Sequence, residues 1–447
     1  MILFANSIPI ANRATGPRKT GALEWAEQTG ETMNYSDRFL RETASYGVLD
    51  VLLVDVAVRI QLTPTDYQQA VEHYGAISEW IDREDSPLHG RVQLFYPQGG
   101  FMVGATIARH ASDAEFDIDV MAQIDWPAKT DAEFGLSAMH QAIRGEPGSR
   151  YYKKAERKTR CSTVHYDGMH LDVTPAVRVI GREEKTSLIF HSKPSDPKEP
   201  KLTLFANPYG FGKWFLANTP VDEVFGLYFE KASLDYERMR LEALAKADAE
   251  PVPMQMPVYR KSRAVISLQL IKRWRNLAYD RRHGELRLPP SVLLAYYIAR
   301  NANQTDTLID ELIHQVECII VALQSAERSG RTAVEVNPAC AEDELTDRWP
   351  ASLAEQRVFI NELRAFTVQL RRLQEGVPLV EMQRILEELF GERPARGAVR
   401  KFAGQHVDDD RASKGFHILR TGSIPALGSA ALPRQARPTP RSSPWGD

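Results

Sequence analysis

Cysteine is scarce in this chain of 447 residues, where Cys161, Cys318 and Cys340 are the full complement. They lie far apart, so neither a disulfide framework nor a zinc site of paired thiols is on offer, and a reducing cytoplasm is the expected compartment. No apolar run approaches the roughly 20 residues needed to span a bilayer, so a membrane is not expected as a partner. The apolar opening Met1-Ile2-Leu3-Phe4-Ala5 has no basic stretch before it, and a secretory leader is not predicted. An excess of positive charge is also missing. Lys and Arg total 56 against 59 Asp and Glu, a net charge of −3, which excludes a polycation built to hold duplex nucleic acid stably.

What remains is the composition of an ordinary globular protein, at a length that suits two packed lobes. The stretch from Asn12 to Met33 is polar and without pattern. It reads either as a loose arm or as a region upstream of a start at Met33. Thr63-Pro64-Thr65-Asp66 has the form of a helix start, with Thr63 as cap, Pro64 in the first turn and Asp66 at the positive end of the dipole. Tyr67, Ala70, Val71, Tyr74, Ile77, Trp80 and Ile81 then recur at helical spacing. Val92 to Tyr96 and Phe116 to Ile124 read as strands, and Cys161 to Tyr166 and Met169 to Val177 flank Asp167-Gly168, a two-residue hairpin turn. Beyond about Phe215 the pattern is helical: Val221 to Glu250, a run marked by Ala264, Leu268, Ile271, Trp274 and Ala278, a helix opening near Pro289-Pro290-Ser291, then Leu308 to Leu323, Ala354 to Leu373 and a last helix over Val380 to Phe390. From about Gly422 the composition, rich in Pro, Ser, Ala and Arg, predicts disorder.

One strand carries chemistry. Side chains on a strand alternate faces, so Asp117 and Asp119 point one way while Phe116, Ile118 and Val120 point into the core. A lone D-x-D is ordinarily a pair of exposed edge aspartates. Here two residues that disfavour strands occupy one face of an otherwise apolar strand, and their mutual repulsion is relieved by a cation. On the second hairpin Leu171 and Val173 face the core, which leaves Asp172 on the opposite surface beside His170 and Thr174. If the strands pair to bring Asp172 across from the other two, three carboxylates supply the all-oxygen ligand set that magnesium prefers, with room for two ions. Upstream, Gln98-Gly99-Gly100 and Gly104 form a loop whose backbone could approach a polyphosphate. His165 and His170 sit on the same hairpin and read as hydrogen-bonded neighbours rather than as a base, since a metal can lower a hydroxyl pKa without one. The basic run Lys153, Lys154, Arg157, Lys158 and Arg160 reads as a solvated connector.

Taken in order, these segments resemble a known family. Tyr96-Pro97-Gln98-Gly99-Gly100-Phe101-Met102-Val103-Gly104, Glu115-Phe116-Asp117-Ile118-Asp119-Val120 and His170-Leu171-Asp172-Val173-Thr174-Pro175-Ala176 are similar to the bacterial cGAS/DncV-like nucleotidyltransferases of CBASS anti-phage defence. Asn207-Pro208-Tyr209-Gly210, Trp214-Phe215, Arg263-Ala264-Val265, Leu270 to Arg275, Pro290-Ser291, Val336-Asn337-Pro338 and Trp349 extend the likeness over about Leu62 to Trp349. The resemblance implies an α+β fold, with a nucleotidyltransferase palm of the polymerase β kind on a mixed sheet and an α-helical C-terminal lobe. The corresponding boundaries are 1–61 for an arm and leading helix, 62–215 for the palm, 216–393 for the helical lobe and 394–447 for a C-terminal segment.

The same resemblance implies that Asp117, Asp119 and Asp172 bind two Mg2+ ions, for which Mn2+ can substitute. It implies that Gln98, Gly99, Gly100, Lys272 and Ser291 bind a donor nucleoside triphosphate, ATP or GTP, and that the product is a cyclic di- or trinucleotide messenger. Linear oligonucleotide synthesis and silent nucleotide sensing are the alternatives. Without the resemblance, Lys272 would read as a solvated lysine and Ser291 as a simple helix cap. The family usually has Gly-Ser where this chain has Gly99-Gly100, which removes a phosphate-binding hydroxyl. Defence operons also imply a regulatory partner, or one that ligates the C-terminal tail.

Overall fold

The computed structural model describes residues 47–108, 116–196, 198–245, 260–303 and 305–412. The arm to Met33 and the tail from Gly422 lie outside them. Helix α1 (Val48–Ile60) is apolar almost throughout and correspondingly buried. Helix α2 (Pro64–Ile81) starts where the sequence places it. The Thr63 hydroxyl accepts from the Asp66 amide and the Asp66 carboxylate accepts from the Thr63 amide, a reciprocal capping box with Pro64 in the first turn.

Strand β1 (Val92–Pro97), the single turn α3 (Gly99–Met102), β2 (Phe116–Ile124), α4 (Ala132–Arg144), β3 (Ala155–Arg157), β4 (Ser162–Tyr166), β5 (Met169–Arg178), β6 (Ser187–His191) and β7 (Leu202–Ala206) follow. The strands form one seven-stranded sheet in the order β1-β2-β5-β4-β3, with β6 on the far half of β5 and β7 beside β6. The β2–β5 pair is parallel and the others are antiparallel. A parallel pair needs a long crossover, and α4 with the β3–β4 hairpin supplies it. Ile118, Val120, Leu171 and Val173 are fully buried against Ala70, Ile77 and Ile81 of α2 and Leu136, Met139 and Ile143 of α4. With one face covered in this way, the acidic face is left to meet the helices that come next.

Those are α5 (Pro208–Asn218), α6 (Glu223–Ala245), α7 (Arg263–Arg282), α8 (Ser291–Asn301) and α9 (Leu308–Arg328). The hairpin β8 (Val336–Asn337) and β9 (Cys340–Glu344) comes next, then α10 (Leu353–Glu375), α11 (Leu379–Phe390) and α12 (Glu392–Ala412). They share a second core with α1, centred on α7, whose Trp274 stacks on Phe366 at 4.3 Å. The helix over Val380 to Phe390 is therefore not the last. Gly391, at φ +102°, closes α11. Ala395, Ala398, Val399 and Phe402 then bury a helical stripe. Pro394 lies within the first turn of α12, where a missing N–H removes no intrahelical bond. No helix among the described residues is long and apolar enough to cross a membrane.

Asp50 ties the leading helix to this second core. It is 3% exposed, and its two carboxylate oxygens accept from the amides of Leu308 (2.9 Å) and Ile309 (3.1 Å), at the start of α9. Thr307 caps the next free amide, that of Asp310. Substitution Asp50→Ala leaves two buried donors without acceptors and is expected to cost about 2–3 kcal/mol. A thermal melt several degrees lower, with the sheet region unaltered in hydrogen exchange, is the expected outcome.

Candidate active site

The acidic face of β2 is the floor of a cavity of about 670 Å³, a volume typical of small-molecule sites. Asp117, Asp119 and Met121, alternate residues of one strand, line it together with Gln98, Gly99 and Gly100. Across from them stand Lys272, Arg275, Asn276 and Ser291. Strand alternation supplies the floor: Phe116, Ile118 and Val120 are buried on the other side.

The third aspartate comes from the neighbouring strand. In the parallel pairing of β2 with β5, Asp119 lies directly beside Asp172 and Asp117 beside His170. Burial, and then the charges of Asp172 and Asp119, push the Cys161 thiol well above its usual range. The side chain of Asp172 is nevertheless not part of the cavity lining. Its Oδ1 accepts a hydrogen bond from the Thr163 hydroxyl at 2.5 Å, from the strand on its other side. As the side chains stand, no three His, Cys, Asp or Glu groups among the described residues are gathered closely enough to enclose a metal ion. The backbone register and the all-carboxylate donor set do fit a hard divalent cation, which takes oxygen ligands. His170 Nδ1 is 3.8 Å from Asp117 Oδ1, too long for a hydrogen bond, and its ring meets that of His165 edge-on; His165 in turn contacts Glu156 at 3.0 Å.

The glycine segment is a tight turn. Gln98 braces it: its amide donates to Asp119 O at 2.8 Å, and its side-chain amide reaches Thr174 Oγ1 and Val120 O. Gly99 sits at φ +57°, and a Cβ there would overlap the Asp119 carboxylate. Gly100 lies beside Lys272. Lys272 Nζ donates to Ala105 O at 2.7 Å and stands 3.2 Å from where a Gly100 Cβ would be, with the Thr106 backbone at 3.4 Å. A Cβ at Gly100 would therefore be in tight contact with the lysine ammonium.

Lys272 is not a solvated lysine; it is 8% exposed on a helix buried nearly throughout. Burial, followed by the nearby Arg275, lowers its pKa to about 8, against the opposing pull of Asp119 and Asp117. Ser291 is not a cap either, since Pro290 holds that position. Its hydroxyl accepts instead from Arg275 Nη2 at 3.2 Å, while Arg275 Nη1 donates to Pro289 O. Arg275 is thus the brace that fixes the start of α8, a role not assigned from the sequence. The signal available was its spacing: Leu268, Lys272, Arg275 and Asn276 share one face of α7, and all line the cavity. Asn337, Asp343 and Asp347, from the β8–β9 hairpin and the loop after it, also line it. Asn337 belongs to a motif quoted for the resemblance but was given no site role, and nothing local marks the two aspartates. Asp343 is held by Asn337 and by the amide of Asn207, the first residue of the Asn-Pro-Tyr-Gly motif.

A mixed-sheet palm with a D-x-D floor, closed by a lysine-bearing helix, defines a nucleotidyltransferase. Comparison with known proteins narrows the class. Residues 93–175 match the family described as cyclic GMP-AMP synthase DncV-like, nucleotidyltransferase domain. The cyclic dinucleotide synthase CdnG of Bradyrhizobium diazoefficiens is 36% identical over 390 residues, 86% of this chain and 91% of that protein. The solved structure of the CD-NTase CdnG of that organism in complex with GTP covers 79% of this chain and 98% of its own, at 35% identity and a TM-score of 0.68. The chain belongs to the cGAS/DncV-like nucleotidyltransferases.

Proposed function

We propose that this enzyme joins two ribonucleoside triphosphates, GTP among them, into a cyclic dinucleotide that serves as a second messenger in anti-phage defence in the cytoplasm. The observation that carries the proposal is Asp117 and Asp119 on the cavity floor opposite Lys272 and Ser291, with Asp172 in register beside Asp119. The palm would run over 62–215 and the helical lobe over 216–393. The GTP-bound relative supports the choice of GTP.

In this reading Asp117, Asp119 and Asp172 would hold two Mg2+ ions. When bound, such ions supply activation of the attacking ribose hydroxyl and neutralisation of the leaving pyrophosphate. Lys272 places a positive charge on the donor triphosphate, beside the Gly99-Gly100 turn. Gln98 holds the glycine turn against β2, so that the amides of Gly99 and Gly100 face the same phosphates. Arg275 keeps Ser291 at the cavity wall for a further phosphate contact. The walls around them limit access of bulk water, which strengthens each charge interaction.

The test is incubation of the full chain with labelled ATP, GTP, CTP and UTP and either Mg2+ or Mn2+, with products resolved by mass and then treated with phosphatase. The wild type is expected to yield a phosphatase-resistant cyclic dinucleotide, and Asp117→Ala/Asp119→Ala to lower its formation by about 10³-fold or more. A product sensitive to phosphatase would assign linear synthesis instead. Equal behaviour of the two proteins under all conditions would overturn the enzymatic role of this site.

A further inference from the structure

We infer that Thr163, a residue outside the cavity, is the positioning residue that orients Asp172 for metal binding. The inference rests on the reading of Asp117, Asp119 and Asp172 as the metal site. Thr163 lies on β4, an interior strand, paired with Asp172 of β5 on one side and with Glu156 of β3 on the other. It is 3% exposed. Backbone pairing on both edges and the branched Cβ leave its side chain little freedom to turn. The hydroxyl donates to Asp172 Oδ1, and hydrogen bonds to a carboxylate are among the stronger kind.

Two consequences follow for Asp172. Without a partner on β4, its carboxylate could rotate about the strand axis between the two neighbouring strands. With Oδ1 engaged by Thr163, the second oxygen is the one left for a cation shared with Asp119, its neighbour in register. A metal-ligating carboxylate is ordinarily held by such an outer hydrogen bond, and loss of that bond typically lowers metal affinity by about 10–100-fold. Asp117 and Asp119 have no such need of β4, because they share one strand face and point at the cavity directly. The arrangement therefore assigns to a buried threonine control over the third ligand only.

Mn2+ titrated alone into the full chain, with free ion followed by electron paramagnetic resonance, reads the effect without turnover. Thr163→Val, of nearly the same shape, is expected to weaken binding about 10–100-fold while Thr163→Ser stays within a few-fold of the wild type. Thr163→Ala against Thr163→Ser repeats the comparison with only a hydroxyl changed, should valine disturb the strand. Melting temperatures of the serine and alanine variants within a few degrees of each other would show that the affinity change does not come from loss of fold. Asp119→Asn separates the two levels of the claim. If Asp119→Asn abolishes binding but the hydroxyl-free variants bind as tightly as the wild type, the role of Thr163 is overturned and the metal site stands. If the wild type shows no saturable binding that Asp119→Asn removes, the metal site falls and the role of Thr163 with it.

Discussion

Gly99→Ala is expected to lower product formation by about 10²-fold while leaving the enzyme folded. Two physical costs meet at this one methyl group. Gly99 has φ +57°, a conformation that costs an L-residue roughly 1–2 kcal/mol. The added carbon would also overlap Asp119 Oδ2 and approach its Cγ to 3.1 Å. The turn or the carboxylate must move, and a displacement of about 1 Å at a reacting centre is enough for a loss of this size. Gly104→Ala is the control that separates the costs. Gly104 has φ +68°, so the backbone strain is shared, yet its new carbon would meet only Lys261 Cε at 3.9 Å. Gly104→Ala should therefore melt at a lower temperature but keep most of its activity. Equal losses of activity in the two variants would mean that strain in the turn, and not the collision with Asp119, explains the effect.

Lys272→Met is expected to do opposite things to stability and to substrate binding. Burial holds Lys272 at about pH 8 in the folded chain, against about 10.4 in an unfolded one. Between those values the unfolded chain binds more protons, so stability rises with pH across that window. The cost of burying the charge is fully present below about pH 8 and is gone above the unfolded value. The methionine variant should melt higher than the wild type at pH 7, and the difference should shrink as the pH is raised from 8 towards 10. Loss of the donor to Ala105 O limits the gain. Binding of a nucleoside triphosphate should weaken by about 10–100-fold, the worth of one charge-assisted contact. In the wild type that binding should also weaken as the pH passes 8. A variant that binds triphosphate normally would remove Lys272 from the site; one that melts lower at pH 7 would show that its contacts outweigh its burial.

The balance at Lys272 illustrates how a site is set against the fold that carries it. A buried ammonium is a cost to the fold, one that an incoming polyphosphate would relieve in the proposed reading. Arg275 raises the same tension from the next turn of the helix, since it lowers Lys272 further while fixing Ser291. Gly100 belongs to this arrangement as well. A methyl group there would be in tight contact with the Lys272 ammonium.

Much of the palm was legible from local signals. The strand read over Phe116 to Ile124 has the bounds of β2, with alternation over Phe116 to Val120. Thr63 and Asp66 form the capping box that their spacing suggests, and Asp167-Gly168 makes the expected turn with Gly168 at φ +72°. Each depends on interactions within a few residues, which is where sequence patterns carry information. The β8–β9 hairpin and α12 were missed for the complementary reason. The first is short and charged and is held in place by Asn207 and Arg182 from elsewhere in the chain. The second follows a glycine and carries a proline in its first turn, residues that ordinarily mark an end.

The sequence by itself determined which side chains share a face: Asp117 with Asp119, Asp172 away from Leu171 and Val173, Lys272 with Leu268. Those relations follow from the periods of strand and helix, two and 3.6 residues, and need no partner. Only the tertiary structure decided that β2 and β5 run parallel with Asp119 beside Asp172, that Lys272 is buried, and that Thr163 holds the third carboxylate. Register and burial are set by surfaces far apart in the chain that must exclude water together, and no local period encodes them.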